Sequence, residues 1–232
     1  MSFVLLEGGN EFNGGMAAAD RRALEVCGGR RAPVRIIPAA AAPDQNHARA
    51  GAKATAWFQA LGATDVKTVA IIDRAAAERQ DLTDEVAKAR LVFLLGGFPR
   101  HLANCLSDSR AWRAMLNARR SGALIAGSSA GAMVLCERYL DPQSDTVLQG
   151  LNLVPGACVI PHHEGYGKSW SVKLAPLLPE AALIGIDEET GLLNDGPGGR
   201  WTVYGKGAVT LYRRGNVDTF YHGQELELLS SK

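Results

Sequence analysis

Five short apolar runs, at residues 3–6, 34–37, 68–72, 91–95 and 123–126, each lead into a longer amphipathic stretch. That alternation is the pattern of βαβ units, in which parallel strands are covered by helices on both faces. Such strands read as unbroken apolar runs because neither side meets water. The intervening helices are expected near 15–27, 45–61, 74–89 and 99–119, and a further helix over 130–138. The fold class is therefore α/β, with a mostly parallel sheet. Beyond residue 150 the texture changes. Residues 150–160 read as a strand pair and 182–186 as a further strand. Residues 201–220 read as a C-terminal antiparallel β hairpin, with turns at Gly205-Lys206-Gly207 and Arg213-Arg214-Gly215-Asn216. No repeat or low-complexity linker divides the chain, so residues 1–232 read as one α/β domain.

The bulk chemistry excludes several partners. With 25 basic and 24 acidic residues and no long run of either sign, nothing steers the chain toward nucleic acid. No apolar run approaches the roughly 20 residues that span a bilayer. The start, MSFVLLEGGNEF, lacks the basic and apolar regions of a signal peptide. Cys27, Cys105, Cys136 and Cys158 are scattered without metal-ligand spacing, so each reads as a buried, reduced thiol. A cytoplasmic protein with no membrane contact is expected.

The chemistry concentrates at Ala126-Gly127-Ser128-Ser129-Ala130-Gly131, a G-x-S-x-G match with a buried strand before it and a helix after it. A nucleophile at the tip of so tight a turn needs small neighbours, since bulk at Gly127 or Gly131 would strike adjacent strands. The following helix aims its N-terminal amides at the site, and the Ala130 amide is the natural donor to an oxyanion. Gly96-Gly97, at the end of the preceding strand, offers Gly97 N–H as a second donor. The same turn could instead bind phosphate or merely pack.

A serine hydroxyl needs a base, and histidine suits that task near neutral pH. His47 and His101 read as surface residues on helices. His162 and His163 follow Pro161 at a strand exit, where parallel α/β sheets carry their sites. In an extended segment their side chains would diverge, so one alone could face Ser129, and the pair would chelate a metal poorly. No metal and no organic cofactor is expected. Asp187-Glu188-Glu189 closes another strand and offers a carboxylate to orient the imidazole. A rival order, Ser129 with Asp187 or Asp195 and then His222, would follow α/β-hydrolase esterases.

Four blocks, LLGGFPRHL, AGSSAGAMVL, GLNLVPGACVIPHHEGYG and LIGIDEETGL, occur in order between about residues 90 and 212. Together they resemble the peptidase E / cyanophycinase family of serine peptidases. The resemblance implies a flavodoxin-like sheet of the class I glutamine amidotransferase kind and a Ser-His-Glu triad of Ser129, His162 and Glu188. It also implies an oxyanion hole from Gly97 and Ala130. Asp145 is the nearest match to an aspartate that some accounts use instead of the glutamate. The implied activity is that of a serine-type exopeptidase, an aspartyl-dipeptidase-like hydrolase of dipeptides or short peptides. Arg100, His163 and Lys168 are candidates to hold the substrate, with Lys173 beyond them. Where cyanophycinases carry Gly-Gly-Asp-Gln, this chain has Gly96-Gly97-Phe98-Pro99, and it has few cations after His162, which argues against a polymer of aspartate and arginine. A non-catalytic amidotransferase-like binding protein is the remaining alternative, and a homo-oligomer is compatible with everything above.

Overall fold

The structure is a computed structural model and describes residues 3–228; both ends of the expected 1–232 unit lie outside the described residues. In the first half, β1 (Val4–Glu7), α1 (Ala17–Val26), β2 (Val34–Ile37), α2 (His47–Ala60) and β3 (Val66–Thr68) alternate as expected. Two short helices, α3 (Arg74–Ala77) and α4 (Gln80–Ala87), precede β4 (Leu91–Leu94). Then come α5 (Pro99–Leu106), α6 (Arg110–Arg120), β5 (Leu124–Ser128) and α7 (Ala130–Leu135).

The second half holds β6 (Arg138–Asp141), β7 (Thr146–Gln149), β8 (Ala157–Ile160), α8 (Lys168–Leu177) and β9 (Ala182–Ile186). It ends with β10 (Thr190–Leu193), β11 (Trp201–Gly205), β12 (Ala208–Arg213), β13 (Asn216–Tyr221) and β14 (Glu225–Leu226).

The main sheet runs β14-β11-β10-β1-β5-β4-β2-β3. From β3 to β1 all neighbours are parallel, and β10, β11 and β14 then add antiparallel to that edge. Side-chain alternation explains the apolar runs. Val4, Leu6, Val92, Leu94 and Ile125 enter one core with Leu102, Leu106, Trp112 and Met115 of α5 and α6. Leu5, Leu91, Phe93, Leu124 and Ala126 enter the opposite core with Leu24 of α1 and Phe58 of α2. Each fully buried aliphatic or aromatic side chain of this kind contributes roughly 1.5–3 kcal/mol, so both faces hold the sheet.

A second sheet, β13-β12-β9-β8, packs Ala157, Val159, Ile184 and Ile186 onto the first of these cores. Its other face covers Leu174 of α8 through Cys158, Ile160 and Leu183. This sheet corrects the reading of 201–220 as one hairpin. The hairpin is β12 with β13, whereas β11 joins the main sheet, and Gly205-Lys206-Gly207 carries the chain between sheets. Helix α7 stops at Leu135 rather than 138, because β6 and β7 form their own hairpin there. Strand β3 covers Val66–Thr68 rather than 68–72: Val69 still bonds to Ile36 O at 2.9 Å, after which the chain leaves the sheet.

Candidate active site around Ser129

Ser129 is the joint between β5 and α7, with φ 48° and ψ −110°. A side chain in that region costs on the order of 1–3 kcal/mol and persists only when its surroundings fix it. They do so here: Ser129 N–H donates to Glu7 O at 2.9 Å, and Ser129 O accepts from Met133 N–H at 2.9 Å. The glycines give the necessary closeness. A Cβ on Gly131 would lie 2.3 Å from Leu94 O of β4, and one on Gly127 would lie 2.4 Å from the Gly131 carbonyl carbon. The first contact is with an adjacent strand, as the sequence suggests. The second is with α7 itself.

The elbow delivers the hydroxyl to an imidazole from the other sheet. Ser129 Oγ lies 3.1 Å from His162 Nε2, and His162 Nδ1 lies 2.7 Å from Glu188 Oε1. Ile160 ends β8, Pro161 follows, and His162 takes a left-handed conformation at φ 48°, ψ 43°, which histidine tolerates better than most residues. Its amide donates to Gly8 O at 2.8 Å, tying the two sheets together beside the site. A Cβ on Gly9 would sit 2.2 Å from His162 Cε1, so that glycine makes room for the ring. Tyr166 stacks on the other side of the imidazole, with centroids 5.3 Å apart. Burial and the nearby Glu188 carboxylate push the Tyr166 phenol above its ordinary pKa. Glu188 is positioned through its own amide, which both Glu164 carboxylate oxygens accept at 2.9 Å.

The amides of Gly97 and Ala130 donate to no protein group among the described residues. Gly97 holds φ 135° at the end of β4, locked by Phe98 N–H donating to Ala40 O at 2.8 Å. The Ala130 amide follows the serine directly, and Gly97 adjoins Gly96, whose Cβ position would fall 3.3 Å from Ser129 Cβ, so two orphan donors lie on residues next to the joint. The arrangement can pass a proton from a serine to an imidazole fixed by a carboxylate.

Other expected residues lie elsewhere. His163 is 5% exposed, not in the cleft: its Nε2 meets Tyr212 Oη at 2.8 Å and its Nδ1 lies 3.4 Å from Asp187 Oδ1. The chain turns at His162 and sends the next ring over Gly185 of β9 toward Tyr212 of β12. His222 Nδ1 accepts from Gly205 N–H at 3.2 Å, and Asp195 pairs with Arg22, so the rival esterase arrangement has both parts engaged away from Ser129. Asp145 pairs with Lys173, and Arg100 lies 3.9 Å from buried Asp141. Lys168 opens α8 without an ion pair among the described residues. His101 is partly buried rather than on the surface, with Nε2 2.8 Å from Ile72 O. Gly9, Tyr166 and Glu164 were not anticipated. A second glycine pair at a strand end, Gly8-Gly9, was the available signal, matching Gly96-Gly97. No group of three metal-ligating side chains gathers among the described residues. No helix among them is long and apolar enough to cross a membrane.

An α/β fold that holds a strained serine against an imidazole is the architecture of a serine-type hydrolase. Residues 3–200 match the model of Peptidase family S51, and the chain belongs to that family of serine-type peptidases. It is 27% identical over 236 residues to a cyanophycinase of Geminocystis herdmanii, covering 96% of this chain and 85% of that protein. A cyanophycinase of Trichormus variabilis is 30% identical over 196 residues, which span 79% of this chain and 64% of the relative. The crystal structure of a peptidase from an acI-B1 Actinobacterium superposes with a TM-score of 0.87 at 25% identity, covering 97% and 96% of the two chains.

Proposed function

We propose that the chain is a cofactor-independent exopeptidase that hydrolyses dipeptides or short peptides through an acyl-enzyme on Ser129. His162 takes the proton from Ser129 Oγ as that oxygen attacks the peptide carbonyl, and then gives it to the leaving amine. Glu188 fixes the imidazole tautomer and stabilises the imidazolium. The Gly97 and Ala130 amides receive the oxyanion, and a water activated by His162 releases the acyl group. The observation that carries this reading is the unbroken line of contacts at 3.1 Å and 2.7 Å from Ser129 through His162 to Glu188.

The reading includes a single functional unit acting in the cytoplasm, which four unbridged, buried cysteines support. The names of the curated relatives support a second reading, cleavage of cyanophycin. Purified protein assayed against a dipeptide panel containing Asp-Xaa members, with cyanophycin alongside, separates the two. Ser129→Ala is expected to abolish turnover of the preferred substrate and labelling by a fluorophosphonate, while its thermal unfolding stays within about 3 °C of the parent. Full residual turnover in that variant rejects Ser129 as the nucleophile.

A further inference from the structure

Carboxylates crowd the C-terminal ends of β1, β8 and β9, and those that reach solvent are, with one exception, engaged by the fold. Glu188 faces His162, and Asp187 accepts from Ala208 N–H at 2.9 Å. Glu189 accepts from the Gly15 amide at 3.1 Å and from the Asn10 side chain at 3.2 Å. Glu164 holds the Glu188 amide. Glu7 and Asp20 are wholly enclosed, and burial pushes both carboxyls upward, that of Asp20 to about 7.

Glu11 differs. Its Oε2 accepts from Ser128 Oγ at 3.0 Å, whereas its Oε1 has no donor and the carboxylate has no cationic partner among the described residues. It also stands at the lip of the nucleophile: the point where a Cβ on Gly96 would fall lies 3.3 Å from Glu11 Oε1 and 3.3 Å from Ser129 Cβ. On its other side Glu11 lines a cavity of about 570 Å³ shared with Phe12, Asn46, Arg49 and Lys53.

A half-buried carboxylate without a counter-charge, beside a reactive serine, lacks the cation that would offset its desolvation. Resting on the peptidase reading above, we propose that Glu11 anchors the free α-ammonium of the substrate's first residue. In any α-aminoacyl group the ammonium lies two bonds from the carbonyl carbon that Ser129 attacks, so its distance from the serine is fixed whatever the side chain. A side-chain cation would reach farther out, where Arg49 and Lys53 repel it. The same two cations leave Glu11 as the cavity's acceptor for positive charge. Glu11 thereby sets the enzyme to cut after one residue from a free N-terminus, a specificity that the Ser129–His162–Glu188 line alone does not supply.

The test compares an aminoacyl p-nitroanilide, carrying the residue preferred in the dipeptide panel, with its N-acetyl form. A charged hydrogen bond to the ammonium predicts that the parent enzyme favours the free amine by about 10- to 100-fold in kcat/KM. In Glu11→Gln that ratio should fall toward one, chiefly through a raised KM for the free-amine substrate, and Glu11→Asp should restore part of it. Equal turnover of the free and acetylated forms by the parent enzyme overturns the anchor but leaves the peptidase reading standing, and needs no variant to fold. A folded Glu11→Gln that keeps the parental ratio also overturns it. No turnover of either form, with no fluorophosphonate labelling, would instead strike at Ser129 itself.

Discussion

His162 and His163 are adjacent in sequence, yet they belong to two lines of side chains with opposite settings. One runs Ser129, His162, Glu188 from the β5–α7 joint; the other runs Tyr212, His163, Asp187 across β12 and β9. Each imidazole has an acid on one nitrogen and a hydroxyl near the other, and the two acids are themselves neighbours. Only the first hydroxyl sits on a strained elbow with free amides next to the joint. The second is a tyrosine phenol partnered inside the fold. Similar local chemistry thus becomes reactive or structural according to what surrounds the hydroxyl, and the two lines make a natural internal control.

The largest expected contrast is between the rings. Replacing His162 with alanine should lower kcat/KM by about 10³-fold or more, as removal of a serine's base does, with little change in unfolding temperature. Comparable activity in that variant would erase the distinction between the lines. Next, Glu188→Gln should cost roughly 10²- to 10⁴-fold in kcat by favouring the wrong tautomer, measured on the same substrate. His163→Leu should do the reverse. Stranding the half-buried Tyr212 and Asp187 groups costs up to about 1–3 kcal/mol of stability, read by denaturant unfolding, while kcat stays within about tenfold.

The smallest effect concerns acid. Burial raises the Asp187 carboxyl, but bonds from His163 and the Ala208 amide outweigh this and hold it below its ordinary value. A carboxylate whose folded pKa is depressed contributes stability above its unfolded value of about 3.9, and loses it as pH falls through the lower folded value. Parent protein should therefore weaken more steeply below about pH 4 than His163→Leu in parallel thermal melts. Identical acid profiles would show that the buried line carries no linked proton.

Much of this was legible beforehand for a plain reason. Strands buried on both faces leave unbroken apolar runs, so the parallel half was visible as punctuation along the chain. The elbow was visible because a strained strand-to-helix joint demands Gly127 and Gly131 at fixed offsets from Ser129. Other features were not. Strand β10 is four residues ending in Gly-Leu-Leu, too short for a periodicity to show, and it adds antiparallel to β1 only because that edge is otherwise open. The split of 201–220 between two sheets depends on which edges are free, which no local pattern encodes.

The sequence by itself determined the sheet class, the serine at the joint and the pair of candidate histidines, because backbone strain and burial write themselves into residue size and polarity. Residue chemistry left the two histidines open and the family resemblance pointed to His162; the tertiary structure shows how that ring comes to face the serine. The expected alternation of an extended segment does not operate there: His162 is left-handed, held by Gly8 O and given space by Gly9 from a strand more than 150 residues earlier. Likewise, Glu11 stands out only when the neighbouring carboxylates are seen to be engaged or, like Glu7 and Asp20, wholly enclosed. Direction and pairing are properties of contacts between distant segments, and those exist only once the chain has folded.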